Sequence, residues 1–171
     1  MLPYSPADRE LLLTRFRENA MGLDYRYLNP ALLIDHPETL YDAGTAMAHS
    51  LGFAGVPSLL ACNTEGEPLM LATCLFLHKA SIAMDYCKLD TSKVVPTLDG
   101  PNPAGERVLV VTPELSLNLV NAIRRRGGQL LGVLTLIGHD RDARALSSIG
   151  LNVPYRPLFQ ARDIAQIRLT A

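Results

Sequence analysis

The feature that most constrains this chain is the alternation in its last third. "RVLVV" and "LLGVLTLI" are near-continuous apolar runs, and "PELSLNLVNAIRRR" between them reads as a helix stopped by "GG". "DRDARALSSI", stopped at Gly150, repeats the helical pattern before a third strand, "LNVPYRPLF". Strands apolar on both faces and separated by helices imply a parallel sheet covered on both sides by right-handed crossovers. The expected class is α/β, an open, mainly parallel sheet flanked by helices. The chain has 171 residues, the size of one domain. An N-terminal helix and extended segment (1–36) would precede an α/β core (37–171).

Upstream the signals are more local. Ser5 as cap, Pro6 at the first helical position and Gly22 as stop predict a helix over 6–21, with Leu12, Leu13, Phe16 and Ala20 on its apolar stripe. An extended stretch follows, and a second helix begins near Pro37; Leu40, Ala43, Met47 and Leu51 recur at helical steps, with Gly52 as the stop. Phe53–Ala61 reads as a strand. Leu69–Leu77 fits either a strand or a helix begun after Pro68, because short apolar runs do not separate the two. From Lys88 to Glu106 the chain reads as a long functional or mobile loop, or as one holding a short hairpin through "KVVPTL".

Composition excludes several classes. Sixteen basic against 17 acidic residues leave a net charge of -1, with no global field to attract nucleic acid or an anionic membrane. No apolar run is long enough to cross a bilayer, and "MLPYSPADRE" carries no apolar signal core. Three separated cysteines (Cys62, Cys74, Cys87) without a C-x-x-C pair read as reduced thiols in a cytoplasm. Four isolated histidines (His36, His49, His78, His139) give no metal-binding pair, so no metal is expected.

In an open parallel sheet ligands gather beyond the carboxyl ends of the strands, which directs attention to the turn after Val111. Phosphate sites there use glycines that let backbone N–H groups converge on a positive helix end. This turn has Thr112-Pro113-Glu114 instead. Thr112 fits an N-cap, Pro113 the first helical position, and Glu114 the first turn, where the dipole favours a carboxylate by roughly 0.3–1 kcal/mol. The expectation is a closed helix end that repels phosphate. The alternative keeps Thr112, Ser116 and Asn118 as neutral hydrogen-bonding groups for an uncharged or cationic ligand.

Other residues carry two readings. Arg124, Arg125 and Arg126 form an anion patch or, more simply, satisfy a helix C-terminus. In His139-Asp140-Arg141-Asp142, Asp140 is read as the cap of the next helix. Asp85, Tyr86 and Lys88 place an acid, an aromatic face and an amine on one segment, with Cys87 either a reactive thiol or incidental to a solvated loop. Cys62 and Cys74 read as core. Leu32, Leu33, Met47 and Leu51, and the row Leu115, Leu119, Ile123, read as core, or as a dimer contact only on the family resemblance given next.

Several pieces together resemble the orotate phosphoribosyltransferases, members of the type I phosphoribosyltransferase fold. "YLNPALLIDHPETLYDAGTAMAHSL" looks like that family's opening strand and helix, and "AGVPSLLA" like the strand before its pyrophosphate loop. "LFLHKASIAMDYCKL" falls where the family has an Arg-Lys strand end leading into a mobile catalytic loop, and "GERVLVV" is similar to the strand bearing its ribose-binding acids. "RRRGGQLLGVLTLIGHDRDARALSSIGLNVPYRPLFQARDI" matches its closing unit, so the likeness covers roughly 130 residues. The departures concentrate at the chemistry. The two acids and the Thr- and Gly-rich loop for the 5′-phosphate are replaced by Thr112-Pro113-Glu114, and the pyrophosphate loop keeps only Gly66. His78 stands for the Arg, Lys79 matches the Lys, and Lys88 or Lys93 stands for the basic residue of the mobile loop.

The resemblance implies a homodimeric protein of the cytoplasm with a degenerate site. Losing an anion cradle removes several kcal/mol of electrostatic stabilisation. The expected role is therefore noncatalytic binding of a metabolite or partner protein through Thr112, Glu114, Ser116, Asn118, His78 and Asp85, with no cofactor. One alternative is a divergent transferase that joins a pyrimidine-like base to phosphoribosyl pyrophosphate, using Mg²⁺, Lys79 and Lys88. Another is a structural or assembly subunit.

Overall fold

The computed structural model describes residues 5–19, 30, 34–92 and 95–165. Its sheet contains β1 (Leu59–Asn63), β2 (Tyr86–Asp90), β3 (Thr97–Asp99), β4 (Arg107–Thr112), β5 (Gln129–Gly138) and β6 (Tyr155–Gln160). The order across the sheet is β3-β2-β1-β4-β5-β6. Every neighbouring pair is parallel except the β2–β3 hairpin. The helices are α1 (Pro6–Asn19), α2 (Pro37–Ser50), α3 (Glu67–Lys79), α4 (Leu117–Arg125), α5 (Asp142–Ser148) and α6 (Ala161–Ala165).

Alternation along the strands divides the core in two. Leu60, Cys62, Leu109, Val111, Leu134 and Leu136 pack with buried residues of α1, α2 and α3. Leu59, Ala61, Val108, Val110 and Val133 pack on the other face with Leu119, Val120 and Ile123 of α4 and Leu146 of α5. The expected mainly parallel sheet with helices on both faces is what the chain forms. Met47 and Leu51, and Leu119 and Ile123, are core. Phe16 meets Phe159 edge-on at 5.3 Å, and the Arg9 guanidinium lies 5.0 Å from the same ring, which fastens α1 to the last strand.

Several local expectations need correction. Leu69–Leu77 lies within a helix, α3, begun by Glu67 and Pro68. The strand placed at Phe53–Ala61 starts only at Leu59, because Leu51–Ala54 form a 3-10 turn and Gly55, at φ 101°, supplies the stop assigned to Gly52. The segment read as a long loop from Lys88 contains β2 and β3, so the hairpin alternative is the one formed. Asp140 does not cap α5: it is exposed and pairs with Arg162 at 4.0 Å, while Asp142 accepts the His139 N–H at 2.8 Å. Ala20, the end of the first helix at 21–22, Leu32, Leu33 and Lys93 lie outside the described residues.

Candidate functional site

Strand order reverses between β1 and β4, so the crevice at their carboxyl ends is where an open sheet of this kind receives ligands. The two turns that border it touch. After β1, Asn63 Oδ1 accepts the Gly66 N–H at 3.0 Å and tightens the turn into α3. A Cβ on Gly66 would stand 2.9 Å from Cδ of Pro113, so glycine is what admits the proline ring here. Pro113 is buried, and its carbonyl accepts the Ile137 N–H at 2.9 Å. The Pro113 ring of the β4 turn thus sits against the turn that follows β1.

The turn is built differently from the expected cap. Thr112 is not an N-cap; it is the last residue of β4, fully buried, and its hydroxyl has no hydrogen-bonding partner among the described residues. The helix begins four residues later than expected, at Leu117, and Ser116 caps it by accepting the Leu119 N–H at 3.4 Å. Residues 113–116 therefore form a short glycine-free connection rather than a first helical turn. Asn118 is exposed on α4.

Glu114 leans toward the next strand end, its Oε1 lying 3.4 Å from Nε2 of His139, with the two side chains 43% and 31% exposed. Beneath them is a buried polar chain. Tyr155 donates its hydroxyl to Asp142 Oδ2 at 2.6 Å and lies 3.1 Å from Thr135 Oγ1, and Asp142 also takes the His139 N–H. Burial, then the bond to Asp142, pushes the Tyr155 phenol well above its ordinary pKa, so it stays a donor. The cluster holds two carboxylates, the partly exposed Glu114 and the buried Asp142, with one imidazole and neutral hydroxyls, a set suited to a ligand with N–H or O–H donors.

Across β1, Lys88 Nζ meets Glu67 Oε2 at 2.8 Å, and Tyr86 donates to Glu67 Oε1 at 3.4 Å. The hydrogen bond to Glu67 pushes the Lys88 ammonium pKa up and keeps it charged. That charge is already matched by a carboxylate. Lys88 lies two strands from β4, roughly 10 Å at ordinary strand spacing.

The remaining assignments scatter. His78 and Lys79 end α3, at the amino edge of the sheet where the chain turns into β2, and Lys79 lies over the Tyr41 ring at 4.9 Å. Asp85, just before β2, is exposed at that same edge. None of the three adjoins Thr112 or Glu114. Cys87 is buried in the β2 core, where desolvation raises its thiol pKa, contrary to an activated thiolate. Burial likewise pushes Cys62 up to about 12. Sequence reasoning missed Glu67, Thr135 and Tyr155. A polar pair flanking apolar strands is a weak signal without the register Val133↔Tyr155 that joins them.

No family sequence model matches the chain, and no curated protein sequence matches it. Solved structures do. Orotate phosphoribosyltransferase from Mycobacterium tuberculosis H37Rv, in complex with 5-phospho-α-D-ribosyl 1-diphosphate, is similar with a TM-score of 0.73 and 22% identity over 92% of this chain and 99% of that one. A phosphoribosyltransferase from Corynebacterium diphtheriae is similar with a TM-score of 0.75 and 19% identity, over 93% and 99%. Orotate phosphoribosyltransferase from Francisella tularensis is similar with a TM-score of 0.63 and 16% identity, over 81% and 83%. The chain has the type I phosphoribosyltransferase fold.

Proposed function

We propose that this phosphoribosyltransferase-fold protein lacks efficient phosphoribosyl transfer and binds a small neutral or cationic metabolite at the Glu114–His139 end of its sheet. The observation that carries the reading is the Pro113 ring seated against Gly66 at the β1–β4 crevice. A polyanion needs converging N–H donors and positive charge. Here the turn supplies a proline without an N–H, no glycine, and the Glu114 carboxylate at its mouth. The donor set does not fit magnesium pyrophosphate either, because Glu114 is the one acid of this turn and it faces His139.

The test is calorimetry with phosphoribosyl pyrophosphate and Mg²⁺, paired with a pyrophosphate-release assay on orotate and other bases. The expected result is neither submillimolar binding nor base-dependent release. Micromolar binding with turnover would instead establish the divergent transferase, whose support is the Lys88 ammonium at the same sheet edge. Loss of that turnover in Lys88→Ala would assign it to this site.

A further inference from the structure

Two side chains at the carboxyl edge combine exposed tips with buried anchors. Glu114 follows Pro113, whose ring sits against Gly66 and whose carbonyl accepts the Ile137 N–H, and it precedes Ser116, the cap of α4. Its carboxylate therefore projects from a turn fixed at both ends. His139 is held in a similar way: its backbone N–H goes to Asp142 Oδ2 at 2.8 Å, and the Tyr155 hydroxyl fixes that same oxygen at 2.6 Å. The tips themselves are barely joined. Glu114 Oε1 and His139 Nε2 lie 3.4 Å apart, longer than a good N–H···O bond, and both side chains are partly in water. A pair this long and this wet is weak. The anchors thus hold a carboxylate and an imidazole in place without committing them to each other, which is what a preorganised binding site requires.

We propose that this pair is a self-closed receptor for a planar organic cation of the amidinium or guanidinium class, whose two parallel N–H groups take the Glu114 carboxylate and displace His139. This rests on the metabolite-site reading above and narrows the ligand from neutral or cationic to cationic. A carboxylate presents two acceptor oxygens in one plane. An imidazole satisfies one of them with a single N–H, whereas an amidinium fork satisfies both with charge-assisted bonds. His139 partners Glu114 until the better-matched fork replaces it. The charge on the imidazole decides how hard that replacement is: imidazolium pairs with Glu114 and repels a cation, neutral imidazole does not repel it, and histidine changes charge between about pH 5 and 8. The groups around the ring have partners or face water. Asp142 of α5 is buried beneath Tyr155 of β6, Asp140 pairs with Arg162 of α6 at 4.0 Å, and Arg141 is exposed.

Three probes of one shape and different charge provide the test: benzamidine, benzamide and benzoate, titrated into the isotopically labelled full chain while NMR follows the backbone amides of residues 114–116 and 138–142. Benzamidine should bind at least about tenfold more tightly than benzamide, and benzoate should not bind. Glu114→Gln should remove that preference with unchanged far-ultraviolet circular dichroism. Benzamidine affinity should rise roughly tenfold from pH 5 to pH 8. His139→Gln, which keeps the backbone N–H to Asp142, should abolish that rise by binding benzamidine more tightly than the unmodified chain does at pH 5. Benzamide binding as tightly as benzamidine overturns the cation while sparing a metabolite site. Benzoate preferred over benzamidine overturns both. No response of these amides to any probe, or a pH dependence that survives in His139→Gln, overturns the self-closed pair, while the calorimetry with phosphoribosyl pyrophosphate decides the broader reading separately.

Discussion

Thr112→Val tests the rebuilt turn most directly. The hydroxyl is fully buried at the end of β4 and finds no partner among the described residues. A buried, unsatisfied polar group costs about 1–3 kcal/mol relative to an apolar one of the same shape. Valine replaces threonine nearly atom for atom and suits a strand equally well. The expected outcome is a gain of about 1–2 kcal/mol, or roughly 3–6 °C in Tm for a chain of this length. Urea and thermal denaturation at neutral pH measure it, with Ser116→Ala as the reciprocal control. Ser116 is the working cap, so its loss should cost about 0.5–1 kcal/mol. If the helix began at Pro113, the two results would exchange signs. A Thr112→Val loss exceeding about 0.5 kcal/mol would refute the assignment, since surface-like neutrality ends near that value.

Tyr155→Phe strips one donor from buried Asp142 and leaves Thr135 without its phenol, so unfolding measurements should show a loss of about 2–3 kcal/mol; a change within error would mean the chain of hydroxyls carries no stability. Gly44→Ala drives a methyl into the α3 backbone, and the overpacking should outweigh the helix-propensity gain by about 1–2 kcal/mol; a raised Tm would contradict the close α2–α3 approach. Burial raises Cys62 to about 12 and raises Cys87 and Tyr155 as well, so the folded chain holds these protons longer than the unfolded one. Stability from them is complete below the unfolded thiol pKa and falls as pH rises beyond it, by at most about 1.4 kcal/mol per unit for each group, which denaturation from pH 8 to 11 reads directly. Iodoacetamide at pH 8 should leave Cys62 and Cys87 unmodified in the native chain, and rapid labelling of Cys87 would revive the reactive-thiol alternative.

The closing half of the fold is legible in the sequence because each element there has both its period and its punctuation. "RVLVV" and "LLGVLTLI" are apolar on both faces, and Gly127 and Gly150 adopt the positive φ that ends the helices before β5 and β6. The sequence pattern places a cap at Thr112 and the fold does not, for a physical reason. Thr-Pro-Glu satisfies every local rule for a helix start, but parallel pairing extends β4 through the Thr112↔Thr135 register, and the strand keeps the threonine. Local capping chemistry lost to a sheet contact with a residue 23 positions away.

The misplacement of Lys79 follows from one ambiguity. In a parallel sheet every strand-to-helix turn lies at the carboxyl edge and every helix-to-strand turn at the amino edge. Had Leu69–Leu77 been a strand, the histidine and lysine after it would face the ligand crevice, as string similarity suggests. As a helix, it carries them to the far edge and leaves Lys88, on the following strand, as the lysine nearer the carboxyl edge. The run was ambiguous because Leu71 and Leu75 are apolar without being needed inside the fold, which erases the polar stripe that ordinarily identifies a surface helix.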